Sequence, residues 1–181
     1  MIYSTNIFLR SMELSDVKIK VKWLNDNQVR STLGFFDYPV SELATEAWLK
    51  RVINDDKRKD FIICLQENNE PIGFCGIKNI DLKNLKAESF MGIGDTNSWG
   101  KGYGFETKKM LMDYAFTYLN LNKIYSFHEA NNEASIRINN KLGAHKDGLL
   151  REEIRGANGL MKDLLIMSIL KKDYPFANQD Q

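Results

Sequence analysis

The 181-residue sequence predicts an α/β fold of the α+β kind, and three observations carry that prediction. Short apolar runs of strand length are interspersed with stretches whose apolar residues recur at helical spacing. Three of the runs follow one another with only turn residues between them, the pattern of an antiparallel meander. The chain is also long enough to bury a core without disulfides or metal, and no linker, repeat or low-complexity segment divides it. Residues 1–181 are therefore expected to form one domain.

Ile7, Phe8 and Leu9 read as the first strand. Ser15 or Asp16 then stands at an N-cap position, ahead of Val17, Val21 and Leu24 at helical spacing. "STLGFFDYP" (31–39) breaks the pattern with Gly34 and Pro39. Ser41 caps a second helix, whose Trp48, Leu49, Val52 and Ile53 share one face. "DFIICLQ" and "IGFCGI" flank the turn-rich "ENNEP" as a hairpin, and "AESFMGIG" from Ala87 adds a third strand after a polar turn at 81–86. Met110, Leu111, Tyr114, Ala115 and Tyr118 then form the stripe of a helix packed on a sheet. "KIYSFHE" is a strand, and "NEASIRINNKLGA" a short helix with Ala134, Ile138 and Leu142 on one face and Gly143 as its C-cap. "MKDLLIMSIL" closes the chain as a core strand. In order, these are a strand, two helices, three strands, a helix, a strand, a helix and two strands.

Composition narrows the function. The 25 Lys and Arg against 24 Asp and Glu are scattered, so no basic face points to nucleic acid. No run approaches the roughly 20 apolar residues of a membrane span, and "MIYSTNIFLRSMELSD" lacks the apolar run of a signal peptide, so no membrane partner and a cytoplasmic location are expected. Cys64 and Cys75 sit in apolar strand-like runs without metal-ligand spacing and read as buried thiols, so no metal is expected.

The motif that carries chemistry is "NSWGKGYGFETKKML" (97–111), with Gly100, Gly102 and Gly104 at every second position before a helix. Backbone N–H groups exposed at a helix N-terminus, with glycines that allow close approach, make an anion cradle suited to a pyrophosphate. The stretch lacks the Gly-Lys-Ser/Thr ending of a P-loop, and its G-x-G-x-G spacing departs from the dinucleotide fingerprint. A glycine-rich turn that binds nothing is the alternative.

The surroundings of that motif resemble the GCN5-related N-acetyltransferases, in the branch of ribosomal-protein N-terminal, spermidine and amino-sugar acetyltransferases. "FLRSMELSD", "AESFMGIG" leading to "WGKGYGFET", "NNEASIRINNKLGA" and "DGLLREEIRGANGLMKDLLIMSIL" carry the resemblance in order across nearly the whole chain. It implies a mixed sheet of about seven strands, splayed between the fourth and fifth and flanked by about four helices, with acetyl-CoA in the splay. The amides of Lys101, Gly102, Tyr103, Gly104 and Phe105, flanked by Trp99 and Gly100, would hold the pyrophosphate. The backbone of Met91, Gly92 and Ile93 would pair with the pantetheine arm, and Asn132 would bond the cofactor. Ser135, Asn139 and Lys141 complete the implied cofactor set.

In the family's reaction a free amine attacks the thioester, giving an oxyanion and then a thiolate. A base must take the amine's proton, a backbone N–H near Met91–Ile93 would steady the oxyanion, and an acid would protonate the sulfur. Many relatives carry a tyrosine for that last task, but "NNKLGA" places Asn139 there, which cannot be a general acid. Ser135 is the candidate for a hydrogen bond to the thiolate, with an ordinary helix N-terminal serine as its alternative. A thiol pKa of roughly 8.5 lets the sulfur leave with little help. For the base, Glu88 opens the strand lining the acceptor side, and Glu153 or Glu152 are alternates, since strand alternation sends only one into the cleft. His128 suits the task by its ordinary pKa and stands behind Glu88. His145 reads as structural.

Specificity is expected from "STLGFFDYP" and "EEIRGANGL". Phe35, Phe36 and Tyr38 offer stacking surfaces, while Arg30, Arg151 and Arg155 offer cations, a combination suiting a nucleotide-linked amino sugar. Glu88 would also touch the acceptor. The N-terminal amine of a ribosomal or other protein comes second. A polyamine, served by Asp37, Glu42, Glu46, Glu152 and Glu153, comes third. A non-catalytic acetyl-CoA sensor is the alternative outside enzymes. Oligomeric state is open, with a homodimer paired through an edge strand as one arrangement.

Overall fold

The computed structural model describes residues 1–33, 39–156 and 159–176, and shows a mixed eight-stranded sheet with helices on both faces. Its elements are β1 (Ile2–Tyr3), β2 (Ile7–Ser11), α1 (Val17–Asn25), α2 (Asn27–Leu33), α3 (Glu42–Val52), β3 (Lys59–Leu65), β4 (Pro71–Asp81), β5 (Lys86–Ile93), α4 (Tyr103–Asp113), β6 (Lys123–Glu129), α5 (Glu133–Lys141), β7 (His145–Arg155) and β8 (Met161–Leu170). The sheet order is β1-β2-β3-β4-β5-β6-β8-β7. Two elements exceed the sequence expectation. β1 adds an eighth strand, too short to show a period, and α2 is a fifth helix. α2 starts because the Asp26 side chain accepts from Gln28 N and Val29 N at 2.8 and 3.2 Å, capping a new helix one residue after α1 ends.

Period-2 burial builds the core. Ile7, Leu9, Ile63 and Leu65 face one side with Met110, Leu111, Ala115 and Phe116 of α4 and its continuation, and with Leu142. Phe8, Ile62 and Cys64 face the other side with Val17, Val21 and Leu24 of α1, Val29 of α2 and Leu49 of α3. Both cysteines are buried free thiols, and burial pushes both above the ordinary thiol pKa.

Every pairing in the sheet is antiparallel except one. β5 and β6 run parallel and pair over three residues, Lys86 with Lys123, Ala87 with Ile124 and Glu88 with Tyr125. Beyond Glu88 they separate, while β5 stays paired to β4 as far as Ile93. With β1 set aside, the splay lies between the fourth and fifth strands. No helix among the described residues is long and apolar enough to cross a membrane.

Candidate active site

Where β5 and β6 part, a cavity of about 470 Å³ opens between them and the helices on either side. Its walls include Glu88, Ser89 and Met91 from β5, His128 and Glu129 from β6, and Asn132, Ser135 and Asn139 from the α5 segment. Helices α1 and α3 contribute Lys20, Leu24, Thr45 and Trp48, α4 contributes Lys108, β4 contributes Phe74 and Lys78, and Arg58 joins them from just before β3.

Glu88 is buried at 9% exposure, with Oε1 taking Lys78 Nζ at 3.0 Å and Oε2 accepting from Asn79 Nδ2 at 2.9 Å. On the facing wall, His128 is held between two hydroxyls, Ser135 Oγ at Nδ1 and Ser126 Oγ at Nε2, both at 2.8 Å. Asn139 Nδ2 lies 2.9 Å from the Ser135 carbonyl and 3.2 Å from His128 Nε2. The carbonyl contact requires a nitrogen at that corner of the amide, so Nε2 meets a donor and is the accepting nitrogen. Nδ1 then carries the proton and donates to Ser135 Oγ, which leaves the serine hydroxyl hydrogen free for another acceptor. Burial first, and Lys108 second, push the His128 pKa down to about 3, so the imidazole is neutral and weakly basic. This corrects the expectation that its ordinary pKa suits it as the base.

Two lysines complete the cavity. Lys108 is 3% exposed, donates to Ser89 Oγ at 2.8 Å, and burial lowers its pKa to about 8. Lys20 is 7% exposed, lies 4.2 Å over the Trp48 ring and 4.7 Å over Phe74, and burial brings it also to about 8. Sequence reading passed over both, although Lys20 sits three residues after Val17 and four before Leu24, on the apolar stripe itself. Glu129 was also missed: Oε2 pairs with Lys162 at 2.7 Å, and the buried Oε1 has no hydrogen-bond partner among the described residues.

The glycine stretch lies at the start of α4. Gly100 and Gly102 have φ of 76° and 89°, the left-handed region, and Gly102 is the helix N-cap. Gly104 serves close packing instead, since a Cβ there would stand 3.1 Å from Met91 Cε and Ile138 Cδ1. The N–H groups of residues 101–104 donate to no acceptor among the described residues, whereas Phe105 N donates to Gly102 O at 3.0 Å. The open amides therefore end one residue earlier than expected. Similarly, the Ile93 carbonyl accepts from Trp99 Nε1 at 2.9 Å, which occupies one of the backbone groups assigned to the pantetheine arm.

Residues 6–145 match the family model described as the acetyltransferase (GNAT) domain. The chain belongs to this family. It is 34% identical to the uncharacterized N-acetyltransferase p20 of Bacillus licheniformis, over 96% of this chain and 97% of that one. The spermidine N(1)-acetyltransferase of Escherichia coli K12 is 29% identical, over 93% and 88%. The crystal structure of spermidine N-acetyltransferase from Vibrio cholerae with CoA and spermine superposes at a TM-score of 0.86, with 26% identity and 93% and 97% coverage. This chain is accordingly an acetyl-CoA-dependent N-acetyltransferase with the GNAT fold.

The residues fit acetyl-CoA: four successive open amides at a helix N-terminus suit its pyrophosphate, and β5 beyond Glu88 presents an edge that β6 does not cover. Among the residues expected at the site, Glu88, Met91, Asn132, Ser135 and Asn139 line the cavity. Asn132 caps α5, its Oδ1 accepting from Ser135 N at 3.1 Å, and Lys141 is exposed at the other end of that helix. Glu153 and Arg151 are exposed on β7 and do not reach the cavity. Alternation fails there because the register shifts between Leu150 and Ile154, with Glu152 at φ 51°. Arg155 is also exposed. Arg30 lies on α2, whose Thr32 and Leu33 line the cavity in its place. Phe35, Phe36 and Tyr38 fall outside the described residues.

Proposed function

We propose that this N-acetyltransferase acetylates the primary amine of a small molecule that enters the cavity from the Lys20–Trp48 side, by direct attack with both substrates bound. The single observation behind it is the cavity at the β5–β6 splay, which has a buried carboxylate on one wall and an oriented serine hydroxyl on the other. Acetyl-CoA supplies the acetyl group as a thioester and leaves as a thiolate. Residues 101–104 hold its pyrophosphate through their N–H groups, and Asn132 and the edge of β5 hold the arm. Glu88 receives the incoming ammonium and takes its proton. A backbone N–H of β5 near Met91 donates to the carbonyl oxygen as charge gathers there. Ser135, whose oxygen accepts from His128, turns its hydrogen toward the sulfur, doing in part what a tyrosine does elsewhere in the family. One acetyltransferase domain spans the chain, since β8 joins the same sheet as the matched residues.

The relatives shift the order of acceptors. Spermidine acetyltransferases among them favour a polyamine over the nucleotide-linked amino sugar that the aromatic and arginine pattern puts first. Thiol release from acetyl-CoA, measured with a panel of polyamines, amino sugars and N-terminal peptides, tests the reaction. Turnover with at least one small amine, lowered at least about 100-fold by Glu88→Gln, is the expected result. Binding of acetyl-CoA without thiol release on every amine would show a sensor instead.

A further inference from the structure

The acceptor end of the cavity is positively charged beyond what its own acids neutralise. Arg58 is matched by Asp60, with contacts of 2.6 and 2.9 Å, and Lys78 by Glu88. Glu129 is matched by Lys162. That leaves Lys20 and Lys108. Neither ammonium has a carboxylate at ion-pair distance among the described residues: Lys20 Nζ has Met12 Sδ at 3.8 Å, and Lys108 Nζ has the Ser89 hydroxyl.

Burying an ammonium without a countercharge is costly, so an uncompensated pair facing one cavity calls for an anion. The surroundings of Lys20 sharpen this. Its ammonium and the Arg58 guanidinium both lie over Trp48, at 4.2 and 5.1 Å, so two cations converge on one ring of the cavity wall. Glu88 and Glu129 line the cavity but already face Lys78 and Lys162, and the acids that the sequence assigned to a polyamine are elsewhere. Glu42 and Glu152 are exposed, Glu46 is engaged by Lys50 at 2.6 Å, Glu153 faces solvent, and none of the four lines the cavity. Asp37 lies outside the described residues.

We infer that the acceptor amine carries an anionic group, a carboxylate or a phosphate, which binds at Lys20 beside Arg58 over Trp48 while the amine points to Glu88. This rests on the acetyl-transfer reading above but goes against the polyamine that the relatives favour as acceptor: a polycation such as spermidine would bring like charge to two buried ammoniums. Lys108, beside Ser89, adds to the field without touching the anion. The aromatic floor of Trp48 and Phe74 gives the intervening carbon skeleton an apolar surface.

Matched amines test it: glucosamine against its 6-phosphate, propylamine against β-alanine, and spermidine. Calorimetry on the CoA-bound protein needs no turnover, so it separates this proposal from the reaction itself. At pH 7 at least one member that carries the anionic group is expected to bind about tenfold or more tightly than its twin without that group and than spermidine. Lys20→Met should bring that ratio within about threefold, and Lys20→Arg should retain most of it. The phosphate and carboxylate pairs identify which anion is meant. Twins that bind alike, spermidine binding tightest, or a ratio untouched by Lys20→Met in a folded variant would overturn the anion site. Discrimination between twins without thiol release would uphold it and overturn acetyl transfer.

Discussion

Lys108 brings an ammonium into the interior with one hydroxyl as its hydrogen-bond partner, and that arrangement has a measurable cost. Its pKa falls from 10.5 in water to about 8, mainly through burial. Below pH 8 the folded and unfolded chains are both protonated and the fold bears the full penalty, about 3 kcal/mol at roughly 1.4 kcal/mol per unit. Between pH 8 and 10.5 the unfolded chain holds more protons, so stability rises with pH, and the penalty is gone above that window. Lys20, lowered to about 8 as well, adds a second contribution of the same sign. Lys108→Met should therefore stabilise the protein at pH 7 by about 1–3 kcal/mol, after allowing for the lost Ser89 contact, and roughly halve the rise between pH 8 and 10.5. Urea denaturation at pH 7 and pH 10.5 measures both; a variant no more stable than its parent at pH 7 contradicts the penalty. Side chains that destabilise a fold in this way are the ones expected where a ligand must be met. Each lay within reach of the sequence. Lys108 precedes Leu111 by three residues and Met112 by four, on the stripe of α4, but a lysine between "ET" and "KM" reads as a solvated face until burial is seen.

At the scale of elements, periodicity made most of the architecture legible. The meander of β3, β4 and β5, the helix α4 and the capped helix α5 follow from their apolar spacing and turn residues alone. What escaped lacked a period or a local signal. α2 has seven residues and two turns, and β1 has two residues. Alternation would send one of Glu152 and Glu153 into the cleft, an expectation that a register shift defeats without any mark that distinguishes it in "LLREEI". The triad of His128, Ser135 and Asn139 joins a strand to a helix, so only the fold brings it together. The glycine stretch was read as one motif, yet its residues divide. Gly100 and Gly102 supply left-handed backbone with no described residue within 4 Å of a would-be Cβ, whereas Gly104 supplies close packing of α4 on Met91 and Ile138. Gly102→Ala should thus remain folded, with about 1 kcal/mol of strain, because space exists and only the torsion is wrong. Acetyl-CoA affinity is expected to drop about tenfold or more, since the strain is relieved by turning the 101–104 amides out of line. Titration calorimetry reads that loss, and unchanged affinity in the folded variant would refute the cradle.

For the molecule as a whole, the splay is an interruption in an otherwise continuous sheet. β5 and β6 share three residue pairs, and beyond them the edge of β5 from Ser89 to Ile93 pairs with no strand on that side among the described residues. The two core clusters, one under α4 and α5 and one under α1 to α3, meet across this sheet. A ligand lying in the gap therefore bridges the strands that the fold leaves apart, and it stabilises the native state by mass action. At 100 times its dissociation constant, acetyl-CoA should add about 2.7 kcal/mol, which for a chain of this size corresponds to a Tm rise of roughly 5–10 °C. The placement of the gain is the sharper expectation. Hydrogen exchange should slow at the amides of 89–93 and 101–104, which the bound arm and pyrophosphate would engage, and stay the same along the β7–β8 pair, which is complete without it. Protection spread evenly over the sheet would mean that the cofactor acts only through global stability. Protection confined to 101–104 would place the pantetheine arm outside the splay and move the reacting carbonyl away from Glu88 and Ser135.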